Sequence, residues 1–245
     1  MMNGGGAITL TYEKDGYLTV QRQVNAPWQD WAVVDDAVMI PLDAKVTTVD
    51  LTAPVMQVAQ GPVVTDESGP RQATLLFPAG TTAEKVNPDG TTEPLTTMKV
   101  RATEYTVGPK GPESMPGALP PTSGYTYAVE LSADEALDAK TVKFSKPMSF
   151  YVDNFLHFPV GGKVPVGYYD RERGVWVPSQ NGKIVKVLAA TGDLAELDID
   201  GSDTPATSTA LLALGVTEDE RRELAKLYTA GKTLWRVPIT HMTPW

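Results

Sequence analysis

Glycine and proline recur so often along this 245-residue chain, 21 and 20 times, that little room is left for helices of several turns. The segments between them alternate apolar and polar residues with a period of two. That punctuation predicts an all-β fold of β-sandwich modules with one short C-terminal α-helix. Six such segments fall at 47–51, 57–64, 73–77, 99–107, 125–131 and 141–152, the spacing of a sandwich. Pro112, Pro116, Pro120 and Pro121 make 111–124 a long ordered loop. Ser132 followed by Asp134-Glu135-Ala136-Leu137 predicts a one-turn connector.

Ahead of the sandwich, Ile8, Leu10 and Tyr12 alternate, Lys14-Asp15-Gly16 breaks the pattern, and Tyr17, Leu18 and Val20 resume it. This is the pattern of a hairpin closed by Asp-Gly. Two strands alone are not stable, so the hairpin needs a third strand or a packed partner, and its abrupt appearance after Asn3-Gly4-Gly5-Gly6 predicts that the sequence opens inside a domain. Trp28 and Trp31 are expected in the core, because indoles bury large apolar area, and 38–42 reads as a strand-like run. Further on, Tyr168-Tyr169-Asp170 and Val175-Trp176-Val177 flank a polar turn, and Asn181-Gly182 predicts a second hairpin leading into 183–188. An acidic loop follows Gly192. Then comes an amphipathic helix with Thr217 as N-cap, Glu220 as its capping-box partner, Leu224, Leu227 and Tyr228 on one face, and Gly231 at its end.

With 21 basic and 30 acidic residues the net charge is -9, which argues against nucleic acid or an anionic membrane as partner and makes cations the natural ligands. There is no cysteine, hence no disulfide or thiolate chemistry. No apolar run approaches the roughly 18 residues of a membrane span, so no membrane insertion is expected. The opening residues lack a basic, then apolar, signal sequence, so any export signal would lie elsewhere. The two histidines, His157 and His241, are far apart, and metalloprotease, nucleophile-elbow and phosphate-loop motifs are missing. The chain is therefore expected not to be an enzyme, with no catalytic residues and no organic cofactor site. The sharpest motif is Glu196-Leu197-Asp198-Ile199-Asp200-Gly201-Ser202-Asp203. Carboxylates on alternate residues before a glycine turn suit calcium, with Glu196, Asp198, Asp200, Ser202 and Asp203 as ligands, the alternative being a plain solvated acidic loop. Thr207 stands where an EF-hand would carry its closing glutamate.

Several stretches together resemble the lead-in region of bacterial RHS or YD-repeat proteins, whose repeats build a hollow β shell around a toxin or adhesive tip: Tyr12 to Tyr17, Gln72 to Thr81, Tyr125 to Ser132, Asn154 to Gly161, Gly167 to Trp176, and Leu234 to Trp245. The hairpin resembles the last two strands of a transthyretin-like fold. The sandwich is similar to the domain shared by netrin receptors, ankyrins and zona-occludens proteins, some of which cleave themselves at His-Phe-Ser. Here His157-Phe158 precedes Pro159, which offers no hydroxyl, so the chain is expected to stay intact.

The resemblance implies a partial transthyretin-like hairpin and linker at 1–45 and a sandwich at 46–152. Hairpins at 153–192 would continue the sandwich or form a second small module. An acidic loop, helix and docking tail at 193–245 would lead toward the shell, the tail carrying Trp235, His241 and Trp245. It implies a secreted or cell-surface, non-catalytic segment that braces, plugs or presents that shell, in the same or a companion chain, with calcium as the one cofactor. A different reading is a stand-alone carbohydrate- or surface-binding sandwich using Trp28, Trp31, Tyr168, Tyr169 or Trp176 as stacking platforms. Aromatics side by side in an open groove would favour it; aromatics buried between sheets would favour the scaffold.

Overall fold

The structure is a computed structural model that describes residues 5–121 and 123–245. The opening Met1 to Gly4, where the start of the glycine run was read, lies outside them, as does Thr122 of the predicted loop. The fold is all-β with short helices. In chain order the strands are β1 Gly6–Tyr12, β2 Val20–Ala26, β3 Thr47–Asp50, β4 Gln57–Asp66, β5 Gly69–Phe77, β6 Ala83–Val86, β7 Thr92–Leu95, β8 Thr97–Glu104, β9 Val129–Ala133, β10 Thr141–Asp153, β11 Lys163–Val164, β12 Gly167–Asp170, β13 Val175–Pro178, β14 Gly182–Thr191, β15 Leu194–Asp198 and β16 Thr233–Met242. The helices are α1 Gly111–Ser114, a single turn, α2 Ser208–Ala213 and α3 Glu218–Leu227.

The central layer is a nine-stranded sheet with the order β11-β14-β16-β10-β5-β4, to which β15 adds beside β14, and β6 with β7 beside β10. Alternation along its strands sends Leu75, Phe77, Phe150, Val152, Trp235 and Val237 to one face. There they meet Val49, Met98, Val100 and Leu131 of a three-stranded sheet, β3-β8-β9. The opposite face presents Leu76, Tyr151, Val185 and Leu234 to Leu211 of α2, Val216 and Leu224 of α3. The sheet is thus covered on both sides, as its residues of alternating direction require. The last residues close the sandwich: Val129 and Trp245 exchange backbone hydrogen bonds of 2.8 and 2.9 Å across to β9.

The capping box forms as read, with Thr217 Oγ1 accepting from Glu220 N–H at 3.1 Å. Ser132 does not cap the connector, a 3-10 turn at Asp134–Ala136; Asp134 instead takes Arg101 at 2.6 Å. Asn181-Gly182 closes no hairpin. β13 pairs only with β12, whereas β14 pairs with β11, β15 and β16. The glycine is needed because a Cβ at 182 would lie 2.5 Å from the Arg236 carbonyl oxygen. The predicted acidic loop after Gly192 begins as strand β15, since Ala195 and Leu197 alternate into the helix-covered core. Trp235 and Trp245, expected in an exposed docking tail, are buried: Trp235 is part of the sheet's inner face, and Trp245 packs in the same core.

Candidate interaction site

The first hairpin pairs Gly6 with Ala26 through Tyr12 with Val20. Strand β2 therefore starts later than Asp-Gly suggested, and the connection runs over 13–19. Gly16 and Leu18 bond instead to the extended segment at 40–42, through Leu42 N–H to Gly16 O at 2.8 Å and Leu18 N–H to Ile40 O at 2.9 Å. Two side chains of β2 fasten the hairpin to the sandwich. The Gln21 amide donates to Arg171 O at 3.1 Å and accepts from the Tyr169 hydroxyl at 3.0 Å. Arg22 donates to the carbonyls of Gln21, Met115 and Asp36 at 2.8, 3.0 and 3.2 Å, and to that of Glu113. Burial depresses the Arg22 guanidinium against the support of Asp35, the condition of a cation held by backbone dipoles.

Beyond this joint the hairpin leads to an apolar surface in water. Trp28, Trp31 and Val33 are 71%, 90% and 94% exposed, where core packing was expected for both indoles. Asp30 falls between them in sequence and Asp35 and Asp36 follow, with no basic residue between 27 and 37. The three apolar residues fall within six residues of the chain, and large apolar side chains exposed on one short segment make it a candidate for interaction. The other aromatics considered as stacking platforms stand elsewhere. Tyr169 is buried, and Tyr168 packs on His241 and Trp245 with ring centroids 4.6 and 5.6 Å away. Trp176 packs edge-on to Tyr169 at 5.5 Å. The five do not share one groove.

The joint is completed from the sandwich side by Glu130 of β9. Its carboxylate accepts from the Tyr105 hydroxyl at 2.6 Å and from Arg171 at 2.6 and 3.3 Å. Burial, then the Glu130 charge, raises the Tyr105 phenol well above its ordinary range. Burial acts against the Arg171 charge, but Glu130 outweighs it, so the guanidinium is held above its usual value. Among the described residues Arg171 Nε and Ser132 Oγ are buried without a partner beside an open groove between the hairpin and β9.

In the acidic motif the carboxylates take donors from the protein. Asp198 is buried, and its carboxylate accepts from the backbone N–H groups of Asp200, Gly201 and Asp203 at 3.0, 2.8 and 2.9 Å. Burial pushes this carboxyl up, but the three N–H bonds outweigh it and hold it below the ordinary carboxylate range. Asp203 pairs with Lys186 at 2.5 Å, Glu196 accepts from Thr191 Oγ1 at 2.6 Å, and Asp200 accepts from Ser202 N–H at 3.0 Å. Thr207 caps α2, accepting from Ala210 N–H at 3.2 Å. Among the described residues no three acidic or histidine groups converge as a metal would need. His157 lies in a turn with φ 54°, where Phe158 N–H donates to the Asn154 side chain at 3.0 Å. No helix of the described residues is long and apolar enough to cross a membrane.

Residues 1–39 match the family model described as the teneurin TTR-like domain. The matched segment contains β1, β2 and all three exposed apolar residues, and it supports the transthyretin-like reading of the hairpin. No curated protein matches the chain, and no solved structure matches it. A TTR-like hairpin fixed to a layered β fold suits a structural or interaction module.

Proposed function

We propose that this chain is a non-catalytic interaction module that braces or plugs the shell of an RHS/YD-repeat protein, in the same or a companion polypeptide, outside the cytoplasm. The observation that carries the reading is the hairpin's division of labour: Gln21 and Arg22 fix it to the sandwich, while Trp28, Trp31 and Val33 stand in water. Rigid indoles lose little entropy on docking and supply much apolar area, so a partner pocket that received them would gain most of its affinity there. The acidic neighbours Asp30, Asp35 and Asp36 suit a pocket with basic rims. A non-catalytic role is supported by the buried carboxylates Glu104, Glu130 and Glu220, each already paired with an arginine.

The test is a titration of the purified chain against a purified YD-repeat shell, followed by calorimetry. Binding that weakens at least about tenfold in the double variant Trp28→Ala/Trp31→Ala, with melting unchanged, is the expected result. No association of the wild-type chain, or equal affinity of the double variant, would overturn the proposal.

A further inference from the structure

The nine-stranded sheet is wider than the three-stranded sheet that faces it, so part of its inner face is roofed by other elements. Over Phe150, Trp235 and Val237 the cover is residues 115–121 and 123–128 together with β12, β13 and the residues around Val164 and Val166. These pieces leave a cleft of about 300 Å³. Its floor is buried core, and its mouth at Pro120, Ser123 and Gly124 is exposed, so it runs from solvent into the sandwich.

The chemistry of the walls is one-sided. Charged residues make up 21% of the chain, yet among the described residues none lines this cleft. Three indoles do, and the N–H of each is taken by the protein. Trp176 donates to Gly117 O at 3.3 Å, Trp235 to the Asn154 side chain at 2.7 Å, and Trp245 to His241 O at 3.2 Å. The indoles therefore turn only carbon surface toward the space. Hydroxyls of Ser123, Tyr125, Thr126 and Tyr127 are the polar side-chain groups left among its walls. A charged ligand would lose its hydration here and gain no counter-charge. An apolar one would gain burial on every side. A dry cavity of roughly 150 Å³ suffices for benzene, and ligand clefts begin near 300 Å³.

From these observations we infer that the cleft between the sheet floor at Phe150 and Trp235 and the cover from Met115, Leu119, Pro120 and residues 123–128 is a binding site for an uncharged, largely aromatic or aliphatic small molecule. The site is separate from the exposed Trp28 and Trp31 surface and does not depend on its partner. The naphthyl-sized part of a ligand enters against the three indoles, and any polar substituent stays at the hydroxyl-bearing mouth.

The probe is N-phenyl-1-naphthylamine, titrated into the intact chain while its emission and the energy transfer from tryptophan are recorded. Saturable one-to-one binding is expected, with the sulfonated analogue 1-anilinonaphthalene-8-sulfonate at least about tenfold weaker because it carries a charge. Val166→Phe, which fills the cleft, and Ser123→Trp, which obstructs its exposed mouth without touching the core, should each weaken the uncharged probe about tenfold. The Trp28→Ala/Trp31→Ala variant should bind it as the wild type does. Equal affinity for the charged and uncharged probes, full binding by Ser123→Trp, or loss of binding in the double tryptophan variant would each overturn the assignment. The last result would place the probe on the exposed loop.

Discussion

Two buried Arg–Glu–Tyr triads hold this molecule together, and they differ in how completely they are closed. In one, Glu220 of α3 receives the Tyr151 hydroxyl at 2.6 Å and Arg236 at 2.7 and 3.1 Å. Arg236 spends its other donors on Leu214 O, Gly215 O and Ser149 Oγ. Side-chain exposure is 4% for Arg236 and 1% for Glu220. In the other, Glu130 receives Tyr105 and Arg171, but the Arg171 side chain is 33% exposed and its Nε has no partner. The same three side-chain types therefore make a sealed rivet between helix and sheet, and a half-open joint beneath the hairpin that carries the exposed tryptophans. The cost of breaking an ion pair depends on whether the orphaned charge can regain water, so solvent access sets the two apart.

Truncating the acid of each triad breaks the comparison most directly. Glu220→Ala leaves the Arg236 charge sealed in the core and should cost about 3–5 kcal/mol. Urea denaturation measures it, as a shifted midpoint at constant slope. Glu130→Ala leaves Arg171 with a path to solvent and should cost about 1–3 kcal/mol. The difference is the test: equal losses would mean that the open groove beside Arg171 does nothing to relieve its charge.

Neither triad was legible in the sequence, because Arg171 lies 41 residues from Glu130 and Arg236 lies 16 from Glu220. Local pattern carries no information about such meetings. What is local was legible: alternation placed strands β3, β4, β5 and β10, the Arg171-to-Gly174 turn placed β12 against β13, and Thr217 with Glu220 marked the start of α3. The β6-β7 hairpin escaped although Pro88-Asp89-Gly90 is a turn signal, its strands having only four residues each. Asn181-Gly182 misled because the glycine serves a close backbone approach rather than a turn. The tryptophans were assigned the wrong way round. Composition alone cannot say that Trp31 leaves the sheet for water while Trp245 returns to pair with β9. The uncharged cleft is equally non-local, its walls coming from six separate stretches of chain.

A smaller effect sharpens the contrast from the side of the open joint. His241 shares a groove with Arg171, Lys140 and Lys143 and packs between Tyr168 and Trp245 at 4.6 and 4.8 Å. Burial, helped by Lys143, lowers its imidazole below the ordinary histidine value. The folded chain thus keeps His241 neutral where the unfolded chain takes up a proton. This contribution to stability is fully present above about pH 6.5 and is lost as pH falls from there through the folded value. His241→Gln should flatten this slope in melting curves taken from pH 7.5 to 5. An unchanged slope would assign it to another group.

The smallest expected effect concerns the loop after β15, where the contrast is between charges satisfied by protein and charges awaiting a cation. Both Asp198 oxygens are taken by backbone N–H groups and Asp203 by Lys186, so the loop closes with donors of its own. Melting in millimolar calcium and in chelator should coincide, because a ligand raises stability only through affinity for the folded state. Asp198→Ala, which strips three N–H groups of their acceptor, should lower melting by the same amount in both solutions. A rise with calcium that Asp200→Ala abolished would show instead that the carboxylates rearrange to ligate the ion. It would also make the loop an acceptor of cations rather than a turn that an aspartate holds closed.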